Sequence, residues 1–312
     1  MKVTNMSTYR TLLSHMDRTS SDLNQLRTTS ITGKRLSRVS DDPSAVRPAL
    51  LTRERLQGSE RYLRTMDSAL DRLKVQDTNL GQMENLLTRA SELVVAAGNG
   101  AYNATDRLTM ANEIKGLRES LLAVGNGQVE GKYVLSGYAE GTAPFRANPA
   151  YDPLLDPRPV LYDGDQGVVM LEVAPGEQIA ANLNGQALLL GDADGDGSTD
   201  AGMVDVFAVL ARVEEGLRAN DQAGVTAELD SLKTALDQVS NYRSQLGNTG
   251  QRIEVGRETM ADVQVDLQEI LSRYEDTDLT ATLTKMMQQE QALQVAMNVT
   301  GRISKLSIMD YL

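Results

Sequence analysis

The stretch DLTATLTKMMQQEQALQVAMNVTGRISKLSIMDYL, residues 278–312, decides the fold of this chain. It has no proline and a single glycine, and its apolar side chains recur at intervals of three and four residues. That spacing predicts an amphipathic helix about 50 Å long. One apolar row is Leu279, Leu283, Met286, Leu293 and Met297, and a second is Ala292, Ala296, Val299, Ile303 and Leu306. Such a helix is not stable alone in water, so it needs helical partners.

The first forty residues supply a candidate partner for this helix. Apolar residues step through them by three, four and seven positions, at Tyr9, Leu12, Met16, Leu23 and Leu26. This is a coiled-coil-like repeat, and residues 31–33 (Ile-Thr-Gly) are predicted to interrupt the helix that carries it. The spacing alone leaves open whether the repeat packs within one bundle or forms a seam with another subunit.

The composition excludes several classes of protein. The 312 residues carry a net charge of −12, so binding to nucleic acid or to an anionic membrane surface is not expected. There is no cysteine, which excludes disulfides and thiolate chemistry. The first ten residues lack the apolar run of a secretory signal, and no segment reaches ~18 apolar residues. We therefore expect a soluble protein with no cleaved signal and no membrane span.

A helix-start signal lies at Asp42-Pro43, a capping residue followed by proline. Pro48 would lose a backbone hydrogen bond in a helix that began there, so we place the regular helix nearer Arg47. Leucine and methionine then recur with a helical period until residues 98–100 (Gly-Asn-Gly), which are predicted to end the helix.

Asp77 falls on the apolar stripe of this helix, where it is either a polar residue that fixes register or a local surface residue. A shorter helix is predicted over about 105–124. After the middle of the chain, helical periodicity returns in 203–277, with residues 247–250 (Gly-Asn-Thr-Gly) expected to loosen the last helix.

The composition changes abruptly in residues 138–202. This window holds six of the eight prolines and 11 Asp and Glu residues against two Arg and no Lys. Short apolar runs at 168–171 and 187–190 lie between glycine-rich turns. We interpret them as strands of a small β domain inserted into a helical chain.

One acidic loop in this window suggests a metal site. Asp192, Asp194, Asp196 and Asp200 alternate with glycine and small residues, an arrangement that can wrap carboxylate oxygens round calcium. Met203 stands where an EF-hand needs a bidentate Glu, so the match is partial. Asp-Gly pairs are also ordinary turn residues. The loop is therefore either a weak calcium site or an acidic surface loop, and no other cofactor is expected.

The predicted fold class is mainly α: an elongated antiparallel helical rod with coiled-coil terminal helices and a small inserted β domain. Three domains follow from the composition and periodicity. They are a terminal-helix domain (1–40 plus 275–312), a helical rod domain (41–137 plus 203–274) and a β-rich variable domain (138–202).

Four sequence motifs carry a resemblance to a known family. They are TGKRL at 32–36, SDDP at 40–43, GKYVLSG at 131–137, and the ending from 288 to 312. In this order they resemble the hook-associated protein 3 (FlgL) family, the hook–filament junction proteins of the bacterial flagellum. The resemblance covers the chain outside the window from 138 to 202, which matches nothing that we can name.

The resemblance implies a secreted, extracellular structural protein with no enzymatic activity, exported by the flagellar type III apparatus. It implies a ring of subunits between a FlgK-type junction protein and flagellin, with the terminal helices forming an inner tube. A FlgN-type chaperone would hold the C-terminal helix before export. The expected assembly interface is then Tyr9, Leu12, Met16, Leu23, Leu26, Leu279, Leu283, Met286, Leu293, Met297, Ile303 and Leu306.

Flagellin itself shares this terminal-helix plan and is the nearest alternative. Flagellins usually carry Arg-Ile-Asn and Asp-Asp-Ala-Ala-Gly runs, where this chain has residues 35–37 (Arg-Leu-Ser) and 41–43 (Asp-Asp-Pro). A metalloprotease would need His-Glu-x-x-His, whereas His15 is the only histidine. A third class, a calcium-dependent adhesive head, rests on the acidic loop alone.

Overall fold

A computed structural model describes the backbone of residues 5–152 and 158–309 and most of their side chains. Within these ranges the helices are α1 (Asn5–Thr32), α2 (Pro43–Ala97), α3 (Ala104–Gly125), α4 (Gly185–Leu190), α5 (Val206–Arg218), α6 (Gln222–Ala227), α7 (Leu229–Glu275) and α8 (Leu279–Met309). The strands form antiparallel pairs: β1 (Gln128–Val129) with β2 (Lys132–Tyr133), β3 (Phe145–Ala147) with β4 (Val160–Tyr162), and β5 (Met170–Ala174) with β6 (Glu177–Ala180). The predicted class, mainly α with a small β content, is confirmed.

Helix α2 begins earlier than predicted. The Asp42 carboxylate accepts hydrogen bonds from the backbone N–H groups of Ser44 (3.1 Å) and Ala45 (3.3 Å), which caps a helix that starts at Pro43. The predicted start near Arg47 is therefore wrong. Pro48 lies in the second turn, where the capped N-terminus holds the helix despite the missing donor. The predicted end before residue 98 is confirmed.

Helix α7 runs without a break through Gly247 and Gly250, which were expected to loosen it. Leu246 and Ile253, on either side of the two glycines, are buried. Burial of the flanking apolar face outweighs the roughly 1 kcal/mol that a helical glycine costs, so the helix continues.

The run at 187–190 is a helix, α4, and not the predicted strand. Asn184 caps it by accepting hydrogen bonds from Gln186 N (3.0 Å) and Ala187 N (3.3 Å). Gly191 ends it in the left-handed region, at φ 67°. A short continuous apolar run fits a buried helix or a buried strand equally well, and here the Asn184 cap favours the helix. The other predicted strand, at 168–171, begins at Met170 as β5.

The chain divides into two compact units. The first consists of residues 1–59 and 262–312 and contains α1, α8 and the neighbouring ends of α2 and α7. The second, residues 60–261, contains the remaining elements, including all of 138–202. This division differs from the three domains predicted above, which stay a prediction.

The core of the second unit is shared between the helices and the 138–202 window. Phe145 on β3 packs against Phe207 on α5 with ring centroids 5.9 Å apart, and both side chains are fully buried. Asn126, at the end of α3, accepts from Phe145 N (2.9 Å) and donates to Phe145 O (2.7 Å). The window is thus held by both apolar packing and hydrogen bonds.

Asp77 is a partner in an ion pair and not an isolated surface residue. Arg243 on α7 donates to both Asp77 carboxylate oxygens (2.7 and 3.2 Å) and to Glu84 (2.7 Å), one heptad further along α2. The hydrogen bonds from Arg243 hold the pKa of Asp77 below its usual value. The ion pair is consistent with a role in register, but both side chains are about half exposed, so that role stays a prediction.

Along the described residues, no helix combines the length and the apolar content needed to cross a membrane.

Candidate assembly interface

Helices α1 and α8 pack against each other as an antiparallel pair. Among the described side chains, the least exposed positions on α8 are Thr282, Met286, Gln289, Leu293, Ala296 and Thr300, and those on α1 include Leu12, Met16, Thr19, Leu23 and Leu26. Both sets step by four and three residues, which is the spacing of a coiled-coil seam. The Thr300 hydroxyl lies 3.3 Å from Met16 Sδ, and Arg27 pairs with Glu290 (3.0 Å) at the edge of the seam.

The seam covers only one face of α8. Leu279, Leu283, Met287 and Met297 lie together on the face beside it, and each is between 44% and 63% exposed. Smaller apolar residues, Ala281, Ala292, Val295 and Val299, occupy the face on the other side, and they are exposed too. We call the first of these surfaces the large-residue face and the second the small-residue face.

The composition of α8 differs from that of an amphipathic helix with one charged, solvent-exposed face. Between Leu279 and Thr300 the only charged residues are Lys285 and Glu290. Half of the 22 residues from Leu279 to Thr300 are Thr, Gln, Asn, Lys or Glu, yet exposed apolar side chains occur on both sides of the seam. The two open faces therefore have the character of contact surfaces that a single chain leaves uncovered.

The predicted interface residues fall into three groups. Leu23 is buried, and Leu12, Met16, Leu26, Met286 and Leu293 are half-buried in the seam. Leu279, Leu283 and Met297 are exposed on the large-residue face. The side chains of Tyr9, Ile303 and Leu306 lie outside the described residues. Sequence reasoning missed Met287 and Val295, because neither residue falls in the two apolar rows identified from the spacing.

Backbone hydrogen bonds join the segment that follows α1 to the segment between α7 and α8. Gly33 adopts φ 67° and ends α1, and its carbonyl accepts from Thr277 N (2.9 Å) at the start of α8. Arg35 N donates to Glu275 O (2.6 Å). The TGKRL motif therefore pairs with the segment between α7 and α8, which fixes where both terminal helices begin.

Glu275 is the electrostatic centre of this turn. Its side chain is 2% exposed, and its carboxylate accepts from Arg53 on α2 (2.5 Å) and from Lys34 Nζ (3.0 Å). Burial alone would raise the pKa of Glu275, but the hydrogen bonds from Arg53 and Lys34 outweigh it and lower that pKa. We call Glu275, Arg53 and Lys34 the Glu275 clasp; sequence reasoning did not find it.

The SDDP motif supports the same turn from the other side. Asp41 accepts from Ser37 N (3.0 Å) and Arg38 N (2.7 Å), and Asp42 accepts from Arg35 (3.2 Å) besides capping α2. The hydrogen bond from the Ser44 hydroxyl is the largest cause that holds the pKa of Asp42 below its usual value. Both aspartates thus organise the local backbone, and Asp42 also pairs with the Arg35 side chain.

The acidic loop brings three of its four predicted residues together. Carboxylate oxygens of Asp192, Asp194 and Asp200 lie within 4.8 Å of one another, and Asp196 is outside this group. Asp192 is nearly buried and accepts from Gly195 N (2.6 Å), Gly197 N (3.0 Å) and Gln186 (2.6 Å). These hydrogen bonds organise the loop, and the calcium site stays a prediction.

Two family models match this chain. The bacterial flagellin N-terminal helical region matches residues 3–140, and the bacterial flagellin C-terminal helical region matches residues 229–312. The first match contains α1, α2 and α3, and the second contains α7 and α8. Together they cover more than two thirds of the chain.

Relatives and solved structures agree with these matches. The chain is 27% identical to flagellar hook-associated protein 3 of Escherichia coli K12, over 89% of each chain. It is 24% identical to flagellin of Bacillus subtilis, over 81% of this chain and 80% of that one. The crystal structure of the flagellar junction protein FlgL from Legionella pneumophila shares the fold, with a TM-score of 0.59 at 17% identity over 73% of this chain and 100% of that one. The chain therefore belongs to the flagellin-like family of flagellar proteins, with hook-associated protein 3 among its relatives.

Proposed function

We propose that this protein is a structural subunit of the bacterial flagellum, an adaptor ring that joins the hook to the flagellin filament. The single observation that carries the proposal is the open apolar surface of α8, on a chain with hook-associated protein 3 as a relative. A surface of this kind is costly unless other subunits cover it. The proposal assigns the chain no catalytic role.

Self-assembly through the terminal helices follows from the energetics of burial. Complete burial of a large apolar side chain contributes roughly 1.5–3 kcal/mol. Leu279, Leu283, Met287 and Met297 are about half exposed, so each retains a substantial part of that contribution for a neighbouring subunit. Repeated round a ring, the large-residue and small-residue faces of successive subunits would cover one another.

The partners follow from the position of such a ring. A FlgK-type junction protein would contact it on the hook side and flagellin on the filament side. Before export, a FlgN-type chaperone would bind α8 in the helix-in-groove mode, since the exposed apolar side chains of α8 would otherwise contact water in the cell. The subunit would then be secreted by the flagellar type III apparatus and act outside the cell.

A filament subunit, flagellin, is the second candidate. The similarity to Bacillus subtilis flagellin over about four fifths of both chains supports it. Both candidates predict assembly through the same helices, so the structure of the terminal helices does not separate them. They differ in what the loss of the protein does to the rest of the flagellum.

Deletion of the gene is the deciding experiment. For a junction subunit we expect intact hooks without filaments, and flagellin released into the medium. For a filament subunit the medium would lack the main filament protein as well. Normal filaments in the deletion strain would contradict the junction role.

Complementation then tests the interface itself. A variant with Leu283→Asp and Met297→Asp should be made but should not restore filaments, because charges cannot be dehydrated on the large-residue face. Val255→Asp is the matched control, since Val255 is equally exposed (52%) but lies in the second unit. It should restore filaments fully.

A further inference from the structure

The methionines of this chain differ widely in access to solvent. There are 13 methionines and no cysteine, so methionine is the sulfur side chain that an oxidant meets. Among the described methionine side chains, only Met170, Met287 and Met297 are more than a third exposed. Met66 and Met83 lie in the core and are 1% and 0% exposed. Oxidation of the free subunit would therefore be selective.

Two of the three accessible methionines, Met287 and Met297, lie on the large-residue face of α8. We propose that both are oxidation sites, and that their conversion to the sulfoxide in the free subunit blocks its assembly. The inference rests on the proposed function, because that function makes this face a contact between subunits. Met170, on β5 in the second unit, lies outside it and offers a natural comparison.

The reaction needs only a peroxide, and hydrogen peroxide is the oxidant considered. The thioether sulfur attacks one peroxide oxygen, so that an S–O bond forms and the O–O bond breaks. Sulfur loses two electrons, and the second oxygen leaves as water after it takes the proton from the oxygen that is now bonded to sulfur. The product is methionine sulfoxide, which methionine sulfoxide reductases return to the thioether.

The new oxygen affects the free and the assembled states differently. In the free subunit it points into water, which satisfies it, so the fold of α8 is little disturbed. In a subunit contact it would lose that water and would need a hydrogen-bond donor from the neighbouring subunit in its place. We expect the contact to weaken by about tenfold or more for each buried sulfoxide.

The same geometry protects the assembled ring. Once neighbours cover the large-residue face, peroxide no longer reaches Met287 and Met297. Oxidation would thus remove free subunits from assembly and leave finished junctions intact. Because the sulfoxide is reducible, the block would be reversible.

The test uses the purified full-length chain and hooks isolated from the deletion strain. Binding is measured by co-sedimentation before and after treatment with hydrogen peroxide, and sulfoxides are located by peptide mass spectrometry. We expect oxidation at Met287, Met297 and Met170, with binding weakened about tenfold or more. Methionine sulfoxide reductases should restore it.

Two leucine variants identify the sites responsible, since Met→Leu conserves volume. The Met287→Leu and Met297→Leu double variant, whatever its affinity for hooks before treatment, should lose none of it after peroxide. Met170→Leu, equally exposed at 49%, should lose binding as the unaltered chain does. Full binding despite sulfoxide at both sites, or no sulfoxide at either, would overturn the inference. Failure of the untreated chain to bind hooks would instead refute the proposed function.

Discussion

Glu275 illustrates how one residue can hold several segments in the turn between α7 and α8. Its carboxylate joins Arg53 of α2 and Lys34 of the TGKRL motif, while its carbonyl accepts from Arg35 N. A buried carboxylate is stabilised when it accepts hydrogen bonds from two cations. Without the carboxylate, both cations would lose their partner. The clasp therefore couples the position of the terminal helices to the end of α7.

The first prediction concerns Glu275→Gln. The amide has the shape of the carboxylate but is neutral, and its NH2 group would face Arg53 or Lys34, so we expect a loss of roughly 1–3 kcal/mol in the free energy of unfolding at pH 7. Thermal unfolding measures it. Glu269→Gln is the control, because the Glu269–Arg273 pair is largely exposed and should contribute little.

The pH dependence follows from the lowered pKa of Glu275. Because the folded-state pKa is below the unfolded value of 4.5, the carboxylate stabilises the fold above that pH. This contribution is lost as the pH falls through the folded-state pKa. The difference between the unaltered chain and Glu275→Gln should therefore shrink on acidification below about pH 4.5. A difference that is constant with pH would contradict an electrostatic role.

The second prediction concerns the acidic loop. If calcium binds, three clustered carboxylates without a bidentate Glu should give a Kd of about 10⁻⁴ M or weaker. Calorimetry at millimolar calcium checks this. Asp194→Asn with Asp200→Asn should abolish the heat of binding and leave the hydrogen bonds to Asp192 in place. No heat with the unaltered loop would leave an acidic surface loop organised by those hydrogen bonds.

At the scale of elements, the sequence predicts the long helices well and the short ones poorly. Helix α2 ends at residue 97, directly before the Gly-Asn-Gly run that predicted its end, and α3 ends at residue 125, one residue past its predicted end. Helix α4 was missed because six residues carry too little periodicity to distinguish helix from strand. The continuity of α7 depends on tertiary packing at Leu246 and Ile253, which no local signal contains.

The candidate site shows the same limit. Apolar spacing identified most of the seam and the large-residue face, because both are continuous along one helix. The Glu275 clasp joins residues from α2, the following turn and α7, and each of them looks like an ordinary surface charge in the sequence. Only the fold brings such residues together, so a pattern search does not find them.

The third prediction concerns the stability of the α1–α8 pair in the free subunit. Thr19, Thr282, Gln289 and Thr300 make the seam partly polar, so it buries less apolar area than its length suggests. Ordering each residue costs ~1–2 kcal/mol of backbone entropy, which such a seam barely offsets. We expect the pair to form in the free chain but to open readily, so that hydrogen exchange is faster in both helices than in the part of α2 after residue 60. Slow exchange across 279–302 at micromolar concentration would contradict this.

Assembly should reverse that pattern. When subunits bind hooks, the exposed faces of α8 are covered and the exchange of α1 and α8 should slow strongly, because the contact disfavours opening of the pair. The Leu283→Asp and Met297→Asp variant is the control. It should exchange as the free chain does even when hooks are present, since it lacks the contact that would order the pair.

At the scale of the whole molecule, the two compact units differ in how completely they bury their apolar residues. Residues 60–261 contain a buried core to which helices and strands both contribute. The unit of residues 1–59 and 262–312 leaves large apolar side chains of α8 exposed. A self-sufficient unit and an incomplete one in a single chain suit a protein that is stable as a monomer but completes its fold in an assembly.

The last prediction tests whether residues 138–202 form a separable domain. If the three-domain division is correct, the helices should stay folded when this segment is excised. If the core is shared, the excision should unfold them. Removing it deletes Phe145, Leu188 and Leu189 from the core and uncovers Phe207. Each large-to-small core substitution typically costs 2–5 kcal/mol, against a total stability of about 5–15 kcal/mol. We therefore expect the excised chain to lose cooperative thermal unfolding, as followed by circular dichroism.

Single substitutions in the full-length chain show whether the core contact is responsible. Phe145→Ala should lower the free energy of unfolding by about 3–5 kcal/mol, because the ring is 2% exposed and packs on Phe207. Tyr138→Ala, at a ring that is 67% exposed, should cost far less. An excised chain that unfolds at the temperature of the intact one would establish 138–202 as an independent domain, and the Phe145 contact would then be local to it.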